Sequence, residues 1–274
     1  MSLLDRYFTR IGLQQRPPAD PAGLAALVRA HRLAIPFENF DIPLGHGIAI
    51  DLDSVAVKLL DRRRGGYCFE QNALLGAVLQ GLGITARPLL ARVRLGLPDD
   101  ATPPRTHTFS LVDLQGALWT VDGGFGGSHV PPMRLAEADA VTTPDGVAHR
   151  FVRRSVIGSL AGEWLLQRKA SDRAEWEPQY SFDLAEVAPE DLDLANHWTS
   201  SRPGTRFTSQ VIASRVLPDG FLALTGRVVS RYRGDAQDKR DVADAEALRA
   251  LLDAEFGLAV DDAAAKELFA FTPG

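Results

Sequence analysis

Arg64-Gly65-Gly66-Tyr67-Cys68-Phe69-Glu70-Gln71-Asn72 carries the only cysteine of a 274-residue chain and sets it at the mouth of a predicted helix. Gly65 and Gly66 allow a tight turn just before it. Leu74, Leu75, Val78, Leu79 and Leu82 follow at amphipathic helical spacing, and Gly81 and Gly83 end the run. Cys68 therefore falls in the first helical turn. There, unpaired backbone N–H groups and the positive end of the helix dipole favour a thiolate and lower its pKa. The alternative is a small buried apolar residue without chemical duty, the usual fate of a lone cysteine.

Working outward, the upstream chain reads as helical. Leu3, Leu4, Tyr7, Phe8 and Ile11 trace one face, and a joint at Pro17, Pro18 and Pro21 leads into a second helix from about Leu24 to His31. After Pro36-Phe37-Glu38-Asn39, Asp53 or Ser54 is expected to cap a third helix bearing Val55, Val57, Leu59 and Leu60. Downstream of Thr85 the punctuation changes. Runs such as 88–95, 106–114, 118–121, 151–157, 164–169 and 179–184 are separated by Gly, Pro and Asp, the mark of an antiparallel sheet or small barrel. Residues 196–206 read as a polar connector. Beyond them come strands over 211–216 and 221–231 around a Pro218-Asp219-Gly220 turn, then a helix with Leu248, Leu251, Leu252 and Phe256 and a short one near 263–269. Helices, then strands, then a mixed end give an α+β fold with parts at 1–83, 84–190 and 191–274.

Composition narrows the partners. A chain of 29.7 kDa exceeds what a single core usually serves. A net charge of −5 with basic density no higher than Arg62-Arg63-Arg64 argues against nucleic acid. One cysteine excludes an intrachain disulfide and a multi-cysteine zinc site, so no metal is expected. Asp5, Arg6 and Arg10 interrupt the N-terminal apolar residues, and no window spans a membrane, so a cytoplasmic protein is expected. A homo-oligomer stays open.

A cysteine nucleophile needs a base, and the base needs an orienting acid. His107 is the histidine inside a strand signature, Thr106-His107-Thr108-Phe109-Ser110-Leu111-Val112, where it shares the inward face with Phe109 and Leu111. A core histidine bonded to a backbone carbonyl is the alternative. The next strand ends at Asp122, and an antiparallel hairpin centred near Gly116 sets Asp122 at about the level of His107. Asp122-Gly123 also fits plain turn chemistry, and Asp113 is a rival acid nearer the turn. Gly123, Gly124, Gly126 and Gly127 around Phe125 make a close-approach loop. Its amides can near a ligand while the ring is free to close over an apolar one. Glu38 and Arg64 flank the site as opposite charges, either a buried bracing pair or two surface residues.

These residues resemble the arylamine N-acetyltransferases. The likeness rests on Arg64-Gly65-Gly66-Tyr67-Cys68 with Glu70 and Asn72, on Thr106-His107-Thr108, and on Val121-Asp122-Gly123-Gly124-Phe125-Gly126. Pro36-Phe37-Glu38-Asn39 and the region from Pro203 to Phe207 add to it. The resemblance implies an N-terminal helical bundle, a central β-barrel and a C-terminal α/β lid around a core like that of cysteine proteases. It implies Cys68 as nucleophile, His107 as base and Asp122 as orienter, with acetyl-CoA as acyl donor. Phe37, Val93, Phe125 and Phe207 become walls of the acceptor pocket, and Glu38 with Arg64 the bracing pair. The expected reaction passes an acetyl group through Cys68 to an aromatic amine or hydrazine by a ping-pong mechanism. N–H groups at the helix start, with Gly123 or Gly124, would hold the oxyanion. The same three residue types also serve hydrolases and other acyl- or amide-forming transferases, which is the competing reading.

Overall fold

The computed structural model describes residues 1–137, 140–155, 162–170, 173–233 and 236–272. Helix α1 (Leu3–Ile11) starts at Ser2, whose hydroxyl accepts the Asp5 N–H, and ends at Gly12 in the left-handed region. Helix α2 (Pro21–Ala34) outruns its expected span at both ends, because Asp20 caps it and Pro21 occupies the first turn, where a missing N–H is harmless. A two-residue strand, β1 (Phe37–Glu38), comes next. Helix α3 (Leu52–Ala56) is capped by Asp51, not Asp53 or Ser54: Asp51 Oδ1 accepts the Ser54 N–H at 2.9 Å. It runs on as a π-turn, Val57–Asp61.

Helix α4 (Cys68–Gly81) begins where the sequence placed it. Its first turn, Cys68 to Asn72, is buried all round, and beyond it the expected amphipathic pattern holds: Leu74, Leu75, Val78 and Leu79 are buried, Ala73, Gly76 and Ala77 are half-buried and Gln80 is exposed. Neither Gly65 nor Gly66 has a positive φ, so their use is close approach rather than a turn. A Cβ at Gly65 would stand 2.2 Å from the Pro36 carbonyl oxygen, and one at Gly66 2.9 Å from Glu70 Cβ.

Strands β2 (Thr85–Val93), β3 (Arg105–Leu114), β4 (Ala117–Val121), β5 (Met133–Arg134), β6 (Val141–Thr142), β7 (Ala148–Arg154), β8 (Glu163–Lys169) and β9 (Glu177–Phe182) form one antiparallel sheet, in the order β5-β4-β3-β2-β9-β8-β7-β6. It curls into a nearly closed barrel. Residues 156 and 157 of the expected 151–157 strand lie outside the described residues. Strand β3 separates two cores. Val112 and Leu114 join the helical core with Leu74, Leu75, Val78 and Leu79, whereas Phe109 and Leu111 join the barrel core with Tyr180 and Phe182. Strand alternation thus ties α4 to the barrel.

The expected connector at 196–206 is instead mostly helical: α5 (Pro189–Ser201) and the short α6 (Arg206–Ser209). The hydroxyls of Thr199, Ser200 and Ser201 donate to the carbonyls of Ala195, Asn196 and His197, so a run that reads as loop satisfies itself within a helix. The C-terminal sheet holds β10 (Ile212–Leu217), β11 (Gly220–Thr225), β12 (Val228–Arg233) and β13 (Ala236–Asp241). The expected single strand over 221–231 is two strands about Gly226, at φ +58°. Strand β13 is exposed throughout and polar from Gln237 to Asp241, which hid it. Helix α7 (Ala245–Leu251), a π-turn (Leu252–Phe256) and α8 (Asp262–Ala270) pack Leu248, Leu252, Phe256 and Leu268 on this sheet.

Strand β1 joins the two ends of the chain. Phe37 lies opposite Ser214 and Glu38 opposite Ala213 in β10, while Phe37 also bridges Gly66 in the cysteine loop. Among the described residues, no helix is long and apolar enough to cross a membrane.

Candidate active site

Cys68 and His107 line one cavity of about 510 Å³ between α4, the barrel and the C-terminal lid. Cys68 is 3% exposed, and its thiol donates to the Thr106 carbonyl at 3.7 Å, one residue before His107. The lowered thiol pKa expected from the helix terminus is not what the site provides. Burial pushes the Cys68 thiol up and the charge of Asp122 adds to it, outweighing the N–H groups of Thr108, Phe69 and Cys68 itself. A thiolate here therefore requires a cation formed beside it.

His107 Nε2 donates to Asp122 Oδ2 at 2.7 Å, both side chains being about 2% exposed or less. That bond leaves Nδ1 as the unprotonated nitrogen. The hairpin register differs by two residues from the expected one. Ser110 pairs with Val121 and Leu114 with Ala117, so Asp122 continues opposite Phe109 rather than His107. Alternation keeps residues two apart on one face, and the carboxylate reaches the imidazole diagonally. The rival acid Asp113 is exposed and accepts the Gly116 N–H at the turn.

Asp122 is held by four groups. Besides His107, the Tyr180 hydroxyl donates to Oδ2 at 3.2 Å, and Asn72 Nδ2 (3.2 Å) and the Gly124 N–H (2.9 Å) donate to Oδ1. Burial acts to raise its pKa, but His107 and the hydrogen bonds from His107, Gly124 and Asn72 hold it below the ordinary carboxylate range. The Gly123 N–H donates to Asn72 Oδ1 at 2.9 Å. Gly123 and Gly124 thus spend their amides inside the network and are not free for the expected oxyanion role. Both glycines, with Gly126, serve close packing instead: a Cβ at Gly124 would lie 2.8 Å from Cys68 Cα, and one at Gly126 2.9 Å from the Phe37 ring.

Phe37, Val93, Phe125 and Phe207 all line the cavity, as do Gly124 and Gly126. Phe125 is not a free ring. It packs edge-on to His107 and to Tyr180, each at 5.2 Å between centroids, and is 4% exposed. Phe207 lies 5.9 Å from Phe37 and 5.6 Å from Tyr67, and Asn39 Nδ2 holds its carbonyl at 2.8 Å.

Glu38 and Arg64 do pair, with Nε to Oε1 at 2.9 Å, and Glu38 is fully buried. Sequence reasoning missed the rest of their cluster. Arg64 also reaches Asp41 at 2.9 Å, and Lys58 Nζ lies 2.6 Å from both Asp41 and Glu70, whose other oxygen accepts the Tyr67 N–H. Burial pushes Glu70 up to about 7, with Lys58 opposing and Glu38 assisting. Gln71 was also missed, and Asn72 was noted in the motif without a role, although they lie three and four residues after Cys68, on its flank of the helix. His31, at the end of the expected second helix, is wholly buried. Its Nδ1 takes the Tyr7 hydroxyl at 3.0 Å and its Nε2 meets Gln71 Oε1 at 2.7 Å. Tyr180 had no local signal, since β9 reaches β2 from far along the chain. Among the described residues, no group of three or more His, Cys, Asp or Glu is placed to hold a metal ion.

The N-acetyltransferase family model matches residues 21–265. The arylamine N-acetyltransferase of Escherichia coli (strain K12) is 38% identical over 95% of this chain and 90% of its own length. The chain belongs to the arylamine N-acetyltransferase family. It is accordingly an acetyltransferase enzyme. The Mycolicibacterium smegmatis arylamine N-acetyltransferase is 37% identical over 97% of this chain and 95% of its own. In three dimensions, the family member from Salmonella typhimurium superposes with a TM-score of 0.90 at 35% identity over 99% of both chains. The Mycobacterium marinum member, solved in complex with CoA, gives 0.88 at 32% identity over 97% of this chain and 98% of its own.

Proposed function

We propose that this family member transfers an acetyl group from acetyl-CoA to arylamines and aryl hydrazines through an acetyl-Cys68 thioester, with His107 as base and Asp122 as orienter. The observation that carries this reading is one apolar-walled cavity holding Cys68 and His107, while Asp122 fixes the imidazole from behind at 2.7 Å. Names and ligands of the relatives support the donor and the acceptor class.

His107 Nδ1 takes the proton of Cys68 as the sulfur attacks the donor's thioester carbonyl. The imidazolium so formed is the cation that a buried thiolate requires, and it is paired at once with Asp122. First-turn amides of α4 hold the oxyanion. The acyl–sulfur bond to coenzyme A breaks, and His107 returns its proton to the departing thiolate. An arylamine is uncharged near neutral pH, so it enters between Phe37, Phe125 and Phe207 without a large desolvation cost. Its nitrogen attacks the acetyl-Cys68 carbonyl, His107 accepts the amine proton, and the thiol is restored as the amide leaves. The consequence is ping-pong kinetics.

Acetyl-CoA alone should add one acetyl group to Cys68, seen by intact mass, and an arylamine should then discharge it faster than water does. Cys68→Ser should stay folded and take up no acetyl group. An enzyme that forms no adduct, or loses it equally fast without amine, would sink the transferase reading.

A further inference from the structure

Arg32 is the largest fully buried side chain among the described residues, 2% exposed near the end of α2, and the reaction above gives it no task. Its guanidinium donates to three backbone carbonyls of the glycine loop: Gly123 at 3.1 Å, Phe125 at 3.0 Å and Ser128 at 3.4 Å. Its Nε has no hydrogen-bond partner, and among the described residues no carboxylate lies within ion-pair distance of it. A buried cation held only by carbonyls is a costly way to fasten a loop.

The loop it fastens is the one the site depends on. Gly124 donates to Asp122 from that loop, Phe125 packs on His107, and Gly126 abuts Phe37. Asp122 is the charge that acts on Arg32: burial pushes the guanidinium down to about 10, and Asp122 opposes this, so it stays protonated near neutral pH. The neighbouring His31 binds Gln71, whose Nε2 donates to the carbonyls of Pro36 and Gly66 beside the cysteine loop. The end of α2 therefore grips both sides of the site.

We infer that Arg32 is a positioning residue for acetyl transfer, anchoring the 123–128 loop and supplying the positive charge behind Asp122 that balances the His107–Asp122 pair. This rests on the reading of Cys68, His107 and Asp122 as the reacting set. Other ionisable groups bear on the same region. His31 and His129 are buried and neutral, and Arg10, Arg29 and Arg32 all act to keep them so. Tyr180 and Cys68 are both kept protonated by burial and by Asp122. Of these groups, Arg32 alone joins a full positive charge to direct bonds on the loop.

The test is single-turnover acylation by acetyl-CoA across pH in wild type, Arg32→Lys and Arg32→Met, with the folded fraction of each measured by circular dichroism and thermal melting. Losing the anchor should slow Arg32→Met acylation by up to about 100-fold, the order expected for a misplaced reacting group. Losing the cation should move both limbs of the profile up by about one pH unit, because a nearby positive charge favours the thiolate and disfavours the imidazolium. Arg32→Lys, which keeps the charge but not the fork, should restore the pH profile and only part of the rate. If Arg32→Met, compared per folded molecule, keeps the wild-type profile and rate, or if Lys and Met lose both equally, the inference is wrong. Failure of the wild type itself to acylate would instead reject the reaction reading.

Discussion

Two buried polar clusters flank Cys68 and hold their charges differently. On the side of the cysteine loop, Glu38, Asp41 and Glu70 face Lys58 and Arg64 at 2.6–2.9 Å, and each charged group has an opposite charge in contact. On the barrel side one carboxylate, Asp122, is held by His107 and by neutral donors from Asn72, Tyr180 and Gly124. Closed sets of ion pairs lock backbone: Arg64 and Lys58 fix Glu38 and Glu70, which in turn accept the N–H groups of Phe40 and Tyr67. A carboxylate with neutral donors and one titratable partner leaves a single proton free to move. The first cluster builds the entrance to α4, and the second holds His107 at the cavity that Cys68 lines.

Swapping the roles of the two clusters would break this comparison. Asp122→Asn should have the largest effect, slowing acylation about 10,000-fold, since the amide presents the wrong partner to His107 Nε2, with little change in melting temperature. Acylation within tenfold of wild type would remove the orienting role. Arg64→Met should do the reverse, costing about 3–5 kcal/mol because Glu38 is left buried and unpaired, as seen in denaturant unfolding, while acylation per folded molecule changes little. A stable Arg64→Met enzyme with crippled acylation would contradict the division of labour.

Acid should have the smallest effect per step, and it sharpens the comparison because it reaches a third set of groups. Burial pushes His31, His129 and His149 down to about 3, so each folds neutral. Their stabilisation is complete above the unfolded value of 6.5 and is lost as pH falls toward 3. Glu70, raised to about 7, acts in the opposite sense and gains stability as pH falls from 7 toward 4.5. Three histidines against one carboxylate leave roughly two net protons, or about 2–3 kcal/mol lost per pH unit below 6. Melting temperatures unchanged between pH 7 and 5 would mean that these histidines fold charged.

Several features were legible without coordinates because their signal is local. The start of α4 follows from Gly65, Gly66 and the leucines after Cys68. The inward face of His107 follows from strand alternation, whereas the Glu38–Arg64 pair was implied only by the family resemblance, since opposite charges 26 residues apart fit two surface residues equally well. Misreadings came where partners are distant or polar groups satisfy themselves. Helix α5 hides behind serines and threonines that bond their own backbone. Strand β13 has no apolar face. Asp122 was placed one diagonal step off, since register depends on turn geometry that a residue count cannot supply.

The sequence alone determined the residue types that meet at the site, their order along the chain and the kinds of element that carry them, because helix mouths, alternation and turn chemistry act over a few residues. Tertiary structure decided what surrounds them. It buried the whole first turn of α4, raised rather than lowered the thiol pKa, spent the Gly123 and Gly124 amides on Asn72 and Asp122, and set Arg32 behind the glycine loop. Burial and charge balance depend on groups brought from far along the chain, and no local pattern encodes them.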